Sequence, residues 1–381
     1  MRYPIILVLA LLISELNSCG GRKEKLPDSD SGTEVNYVAG RFSLQKNDSC
    51  TILTISDPWQ GAEGVRHEYY LVKKDENRNI SADPESVIQV PVTRLICTST
   101  THLAMVSALG EEDAVAGVSG AGFIYNATLA EKIRKGLIKD VGFETGLNSE
   151  LLIRCNPDLI MMYGIGSESA GQVARVKELG YKVMFNADYL ETDPLGKAEW
   201  IKVFGALFCR ENKADSIFAL VAESYNHLKK FIEQNTSEKP AVLLGMPFRD
   251  TWFISPGNSY ISNLIRDAGG KYMWQDTESS VSMPFSLESV YLKSLKADYW
   301  INTGSAGSKN EIASFDKRLS SIPAFRNGKL YNNNRRISPG GGNDYWESGA
   351  INPHVILKDI ASILHPELFQ DYELYYYRKI E

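Results

Sequence analysis

The chain has 381 residues, of which 23% are charged, 43% hydrophobic and 10% aromatic, with a formal net charge of -6. This balance describes globular lobes with an ordinary core, and a mildly acidic body excludes nucleic-acid binding driven by counterion release. Beyond one short run at its start, no stretch is long and apolar enough to span a bilayer.

At that start, Arg2 precedes an apolar run from Ile5 to Ile13, followed by Leu16-Asn17-Ser18-Cys19-Gly20. Roughly ten apolar residues are too few for a spanning helix and suit the core of a secretory signal. Cleavage before Cys19 leaves a thiol for lipid attachment. Residues 1–18 are therefore read as a lipoprotein signal, and 19–36, rich in Gly, Ser, Asp, Lys and Glu, as a disordered tether. The mature chain is expected to be exported and lipid-anchored to a bacterial membrane, on its periplasmic side. Cys50, Cys97, Cys155 and Cys209 show no CxxC spacing and are expected to be free thiols, with oxidation of one pair left open.

Short alternating runs such as Cys50 to Ile55 and His67 to Val72 predict a strand-rich leader over 37–90, packed on the first lobe. That lobe spans 91–192, where strand and helix patterns alternate: Arg94–Thr98, a helix over Thr100–Leu109, Val115–Val118, a helix at Glu150, Leu159–Tyr163, a helix over 171–179, then Lys182–Phe185. Such alternation predicts a parallel sheet. Pro194 opens a helical region spanning 193–236, in which Ile217, Phe218, Val221, Tyr225, Leu228, Phe231 and Ile232 keep three-and-four spacing. That helix runs to about 22 residues, or about 33 Å, enough to bridge two lobes. A second α/β lobe completes the chain over 237–381, with strands at Ala241–Gly245, Tyr299–Asn302 and Lys329–Tyr331 and helices at Tyr260–Ala268, Glu288 and Pro353–Leu364. One stiff connecting helix predicts a small closure on any ligand between the lobes.

One plan occurs twice. Asn148-Ser149-Glu150-Leu151-Leu152 leads to Pro157-Asp158-Leu159-Ile160-Met161-Met162-Tyr163-Gly164, and about 140 residues later Ser286-Leu287-Glu288-Ser289-Val290 leads to Ala297-Asp298-Tyr299-Trp300-Ile301-Asn302-Thr303-Gly304. Each copy is a small polar residue, a Glu opening an amphipathic segment, an Asp, a short apolar strand and a Gly. An acid at a helix start complements the helix dipole, so either Glu alone has a local explanation. The duplication asks for a matched partner.

These segments, with Asp267-Ala268-Gly269-Gly270 and the helix from Pro353 to Leu364, resemble the substrate-binding proteins of ABC importers for iron-siderophores and cobalamin, over roughly Pro91 to Leu368. The resemblance implies a protein without catalytic activity or cofactor, acting as a monomer. It would capture a metal chelate between its lobes and deliver it to a permease dimer driven by a cytosolic ATPase. It also implies that Glu150 and Glu288 pair with arginines of the permease, where two carboxylates on opposite lobes fix a docking angle. The second copy departs from the usual pattern, with Lys296-Ala297-Asp298 in place of Pro-Asp.

For the ligand, Tyr163 and Asp344 resemble pocket positions of the family. Tyr125, Trp252 and Trp346 stand in loop-like contexts where a large exposed ring is costly unless covered, and Arg249 suits a carboxylate or phosphate on the ligand. The loop Pro339 to Trp346 lacks the strand, helix and Lys-Ser or Lys-Thr of a nucleotide site, so its glycines are expected to allow close approach to a bulky ligand or a tight rim turn.

Two other classes fit less well. A direct metal binder needs converging ligands, whereas His67, His102, His227, His354 and His365 are scattered, and His102 alone stands near a helix start that could face the cleft. An exported hydrolase needs a nucleophile elbow, and Gly117-Val118-Ser119-Gly120-Ala121-Gly122 fails the G-x-S-x-G spacing. A lipoprotein displayed at the surface, binding haem or a corrinoid without docking a permease, is the nearer alternative.

Overall fold

The computed structural model describes residues 37–75, 80–142, 146–164 and 168–381, so the signal, Cys19 and the tether lie outside the described residues. The leader forms a four-stranded sheet of β1 (Phe42–Lys46), β2 (Thr51–Ser56), β3 (Arg66–Lys73) and β4 (Val87–Val90) in that order, β4 running parallel to β3 and the other pairs antiparallel. Alternate residues Leu53, Ile55, Tyr69, Leu71, Ile88 and Val90 are buried, as period-two patterning requires. The leader packs on the first lobe. The Phe185 amide donates to the Tyr69 hydroxyl (3.3 Å), and Lys182 Nζ to the Val87 carbonyl. Two buried carboxylates hold its entry: Glu199 Oε2 accepts the amides of Val38 (2.7 Å) and Ala39 (2.9 Å), and Glu191 those of Gly40 (3.0 Å) and Arg41 (3.1 Å).

The first lobe runs β5 (Leu95–Cys97), α1 (Thr100–Leu109), β6 (Val115–Val118), α2 (Ala127–Arg134), β7 (Lys139–Asp140), α3 (Ser149–Cys155), β8 (Leu159–Met162), α4 (Glu168–Glu178) and β9 (Val183–Phe185). Its sheet is entirely parallel, in the order β7-β6-β5-β8-β9. Its central strands are buried along their whole length, the signature of a sheet covered on both faces.

Helices α5 (Pro194–Glu199), α6 (Ile201–Phe208) and α7 (Glu211–Asn235) make the connection. The chain turns out of α6 at Cys209 in a left-handed conformation (φ 54°). With 25 residues α7 extends about 37 Å. It buries Ala214, Phe218, Val221, Tyr225 and Ile232, the spacing legible in the sequence.

The second lobe comprises β10 (Ala241–Leu244), β11 (Thr251–Ile254), α8 (Tyr260–Asp267), β12 (Lys271–Tyr272), β13 (Met283–Ser286), α9 (Leu287–Ser294), β14 (Tyr299–Ile301), α10 (Lys309–Phe315), α11 (Pro323–Arg326), β15 (Leu330–Asn332), α12 (Pro353–Leu364) and β16 (Arg378–Lys379). Its sheet has the order β12-β10-β14-β15-β16, parallel apart from β16, while β11 and β13 form a separate antiparallel pair. The architecture is two α/β lobes joined by one long helix, α7, which packs on α6 at one end and on α12 and α8 at the other. Among the described residues, Cys97, Cys155 and Cys209 form no disulfide.

Candidate functional site

The two copies of the repeated plan fold alike. Asn148 Oδ1 caps α3 by accepting the Leu151 amide (3.1 Å), and Ser286 Oγ caps α9 by accepting the Ser289 amide (3.3 Å). In both helices the Glu stands in the first turn, where the dipole favours it. Glu150 and Glu288 are exposed, at 72% and 69% of their side-chain surface. Each has a neighbour that the sequence pattern did not signal: Arg154 is 2.7 Å from Glu150, and Arg318 is 3.3 Å from Glu288. Pairs this exposed are weak, so each Glu can change partners readily.

The repeated Asp has a structural task. Asp158 Oδ2 accepts the Thr93 amide (2.8 Å), the Thr93 hydroxyl (2.7 Å) and the Arg94 amide (3.1 Å), fixing the start of β5. Asp298 Oδ2 accepts the Ala241 amide (2.8 Å) at the start of β10. Each staples its own strand to a neighbour.

Ligands of open α/β sheets bind beyond the carboxyl ends of the strands, where strand order reverses. In the first lobe that point lies between β5 and β8, which are followed by Thr98 and Tyr163; the Tyr163 amide donates to Thr98 Oγ1 (3.3 Å). In the second it lies between β10 and β14, which are followed by Gly245 (φ 76°) and Asn302 (φ 56°). Tyr163 is half-buried, its ring edge-on to Tyr189 with centroids 6.1 Å apart.

Tyr125, Asp344 and Trp346 gather where the lobes meet. Glu347, which the sequence pattern did not single out, reaches from the second lobe to accept the amides of Tyr125 (2.7 Å) and Asn126 (2.9 Å) in the first. Burial pushes its carboxyl up to about 7, against the lowering effect of those amides. Arg336 pairs with buried Asp344 (2.6 Å), and its guanidinium lies over the rings of Tyr125 (5.1 Å) and Tyr375 (4.2 Å). Asp344 therefore has a protein partner already. The Trp346 carbonyl accepts the Thr100 hydroxyl (3.3 Å) at the start of α1, and its ring is 55% exposed.

One expected ligand contact lies in the core instead. Trp252 is fully buried: its indole N–H donates to the Leu244 carbonyl (3.0 Å) and its ring lies 5.8 Å from Trp300, leaving no surface for a ligand. Arg249 is exposed on the turn before β11, left-handed (φ 54°), with its guanidinium over Phe248. In the 339–342 loop Gly340 and Gly342 approach protein, while Gly341 (φ 92°) faces open space. A Cβ on Gly342 would meet the Phe123 carbonyl at 2.5 Å, and one on Gly340 the Gly122 carbonyl at 2.7 Å, so first-lobe and second-lobe backbones touch directly.

His102 is fully buried beside Phe204 rather than facing a cleft. Among the described residues, no group of three or more His, Cys, Asp or Glu could hold a metal ion, and no helix is long and apolar enough to cross a membrane.

The sequence profile of the periplasmic binding protein family matches residues 95–335, in both lobes and the helices between them. The chain belongs to this family. Its periplasmic binding protein fold is shared with a periplasmic heme binding protein from Pseudomonas aeruginosa (TM-score 0.57, 15% identity, covering 76% of this chain and 98% of that one). It is likewise shared with an ABC-type Fe3+-hydroxamate transport system protein from Saccharomonospora viridis (TM-score 0.54, 18% identity, 72% and 94%). In sequence the chain is similar to an uncharacterized lipoprotein of Methanocaldococcus jannaschii, 28% identical over 307 residues, which are 78% of this chain and 71% of the relative.

Proposed function

We propose that the protein is the substrate-binding lipoprotein of an ABC importer, exported and tethered through lipid on Cys19. It captures a metal chelate, a ferric siderophore or a corrinoid, between its lobes and hands it to a permease dimer driven by a cytosolic ATPase. The observation that carries this reading is the pair of strand-order reversals, one in each lobe, with Tyr163 at the first and Trp346 at the lobe junction as aromatic surface. Planar or bulky chelates bind to such faces with few polar contacts. Glu150 and Glu288, matched and exposed, are the docking acids, and they exchange Arg154 and Arg318 for arginines of the permease.

The double substitution Glu150→Lys with Glu288→Lys tests docking separately from capture. Chelate uptake by the native host should fall about tenfold or more while the Kd of the purified protein stays within about twofold. Full uptake by the double variant would favour the reading in which the lipoprotein is displayed at the surface, binds haem or a corrinoid, and docks no permease.

A further inference from the structure

The leader, residues 37–90, lies outside the stretch matched by the family, yet it reaches the strand end on which the cleft is built. Trp59 makes a parallel bridge with Gly164, the residue after Tyr163, and a Cβ on Gly164 would lie 2.9 Å from the Trp59 Cβ. The approach is close enough that only glycine fits. The Trp59 ring then packs on Phe185 at the end of β9, with centroids 5.3 Å apart.

Tyr189 completes the contact: its hydroxyl donates to the Gly164 carbonyl, its ring stands edge-on to Tyr163, and the Gln60 backbone hydrogen-bonds its phenol. The 57–65 turn is fixed from within. The Asp57 amide donates to the Val65 carbonyl (2.7 Å), the Val65 amide returns to Asp57 Oδ1 (3.0 Å), and the Ala62 amide donates to the Trp59 carbonyl (3.0 Å). Asp57, Gly61 and Gly64 all take positive φ to close it, and Arg41 Nη1 donates to the Asp57 carbonyl (2.8 Å). Gln60 is exposed at its tip. A rigid turn ending in an exposed amide beside an aromatic strand end has the form of a binding wall, because its ordering entropy is spent in folding rather than on ligand capture.

We propose that the 57–65 turn is a third wall of the ligand cleft, in which Gln60 contacts the periphery of the chelate and Trp59 sets the position of Tyr163 through Gly164. The inference rests on the chelate-binding function proposed for the cleft. The leader thereby selects among chelates, a task the two lobes share with it.

The test measures Kd values of the full chain, solubilised in detergent, for haemin, cyanocobalamin and ferric desferrioxamine. Gln60→Ala, Gln60→Glu, Trp59→Phe, Trp59→Ala and Gly164→Ala are compared, each with its Tm. The expected result is a change of at least about fivefold in the ratio of Kd values between the best-bound chelate and its nearest competitor for Gln60→Glu, Trp59→Ala and Gly164→Ala. Trp59→Phe should restore most of the wild-type ratio, and Gln60→Ala should keep the wild-type Tm. A purely structural role would lower Tm and weaken every chelate alike, so unchanged ratios in all variants overturn the wall while leaving capture by the lobes intact. Absence of binding by the wild-type protein overturns both.

Discussion

Glu347 and His102 are buried groups whose protonation acts on stability in opposite directions. Burial raises Glu347 from 4.5 to about 7, so the native chain keeps a proton that the unfolded chain has released; this contribution is complete below 4.5 and lost as pH rises through about 7. Burial lowers His102 from 6.5 to about 4, only partly offset by Asp188, so its contribution is present above 6.5 and lost as pH falls through about 4. The unfolding free energy of wild type minus that of Glu347→Gln should therefore grow by about 1.4 kcal/mol per pH unit between pH 7 and 4.5. His102→Leu should gain on wild type as pH falls from 6.5 toward 4. Its ring nitrogens have no hydrogen-bond partner among the described residues, and removing such a group is neutral or stabilising. Urea denaturation at stepped pH reads both differences, and pH-independent differences would contradict the assignment. Glu150 and Glu288 were legible as exposed helix-start acids because the cap and the dipole are local properties. Trp252 was not, because the in-out alternation of Thr251 to Ile254 covers four residues and was masked by the turn signals of Arg249-Asp250.

At the scale of elements, the repeated plan resolves into two jobs, a surface acid and a strand staple. Four hydrogen bonds converge on Asp158 Oδ2, three of them short and the fourth from Lys74 Nζ at 3.5 Å, and one on Asp298 Oδ2. Asp158→Ala should therefore cost about 2–3 kcal/mol and Asp298→Ala about 1 kcal/mol, measured by denaturant unfolding; equal costs would contradict the staple account. The strands of both sheets were readable because buried parallel strands are continuous apolar runs between helical patterns. The α7 pattern gave about 22 residues against 25, since Glu211 and Asn212 at its start and Glu233 to Asn235 at its end are polar and carry no periodic signal. The β11–β13 pair and β16 escaped notice: β13 contains Pro284 and alternates half-buried with exposed residues, and β16 has two residues, so each depends on tertiary partners rather than local pattern.

For the molecule as a whole, direct backbone contacts of Gly340 with Gly122 and of Gly342 with Phe123, a carboxylate clamp at Glu347 and a continuous α7 leave little freedom to open. Ligand binding should move the lobes by no more than about 1 Å in radius of gyration, as small-angle scattering would show. The two-lobe plan was legible because the duplicated unit fixes it. The lobe junction was not, because Glu347 is one acid in a polar loop and its partners are main-chain amides about 220 residues away, with no side-chain signature. The central claim is capture of a metal chelate by the cleft. Its most direct test is a tryptophan-fluorescence titration of the detergent-solubilised full chain against cyanocobalamin, haemin and a panel of ferric siderophores, with the metal-free chelators as controls. The account predicts saturable binding of one chelate class, with a signal reduced in Trp346→Ala; no saturable binding across the panel would contradict it.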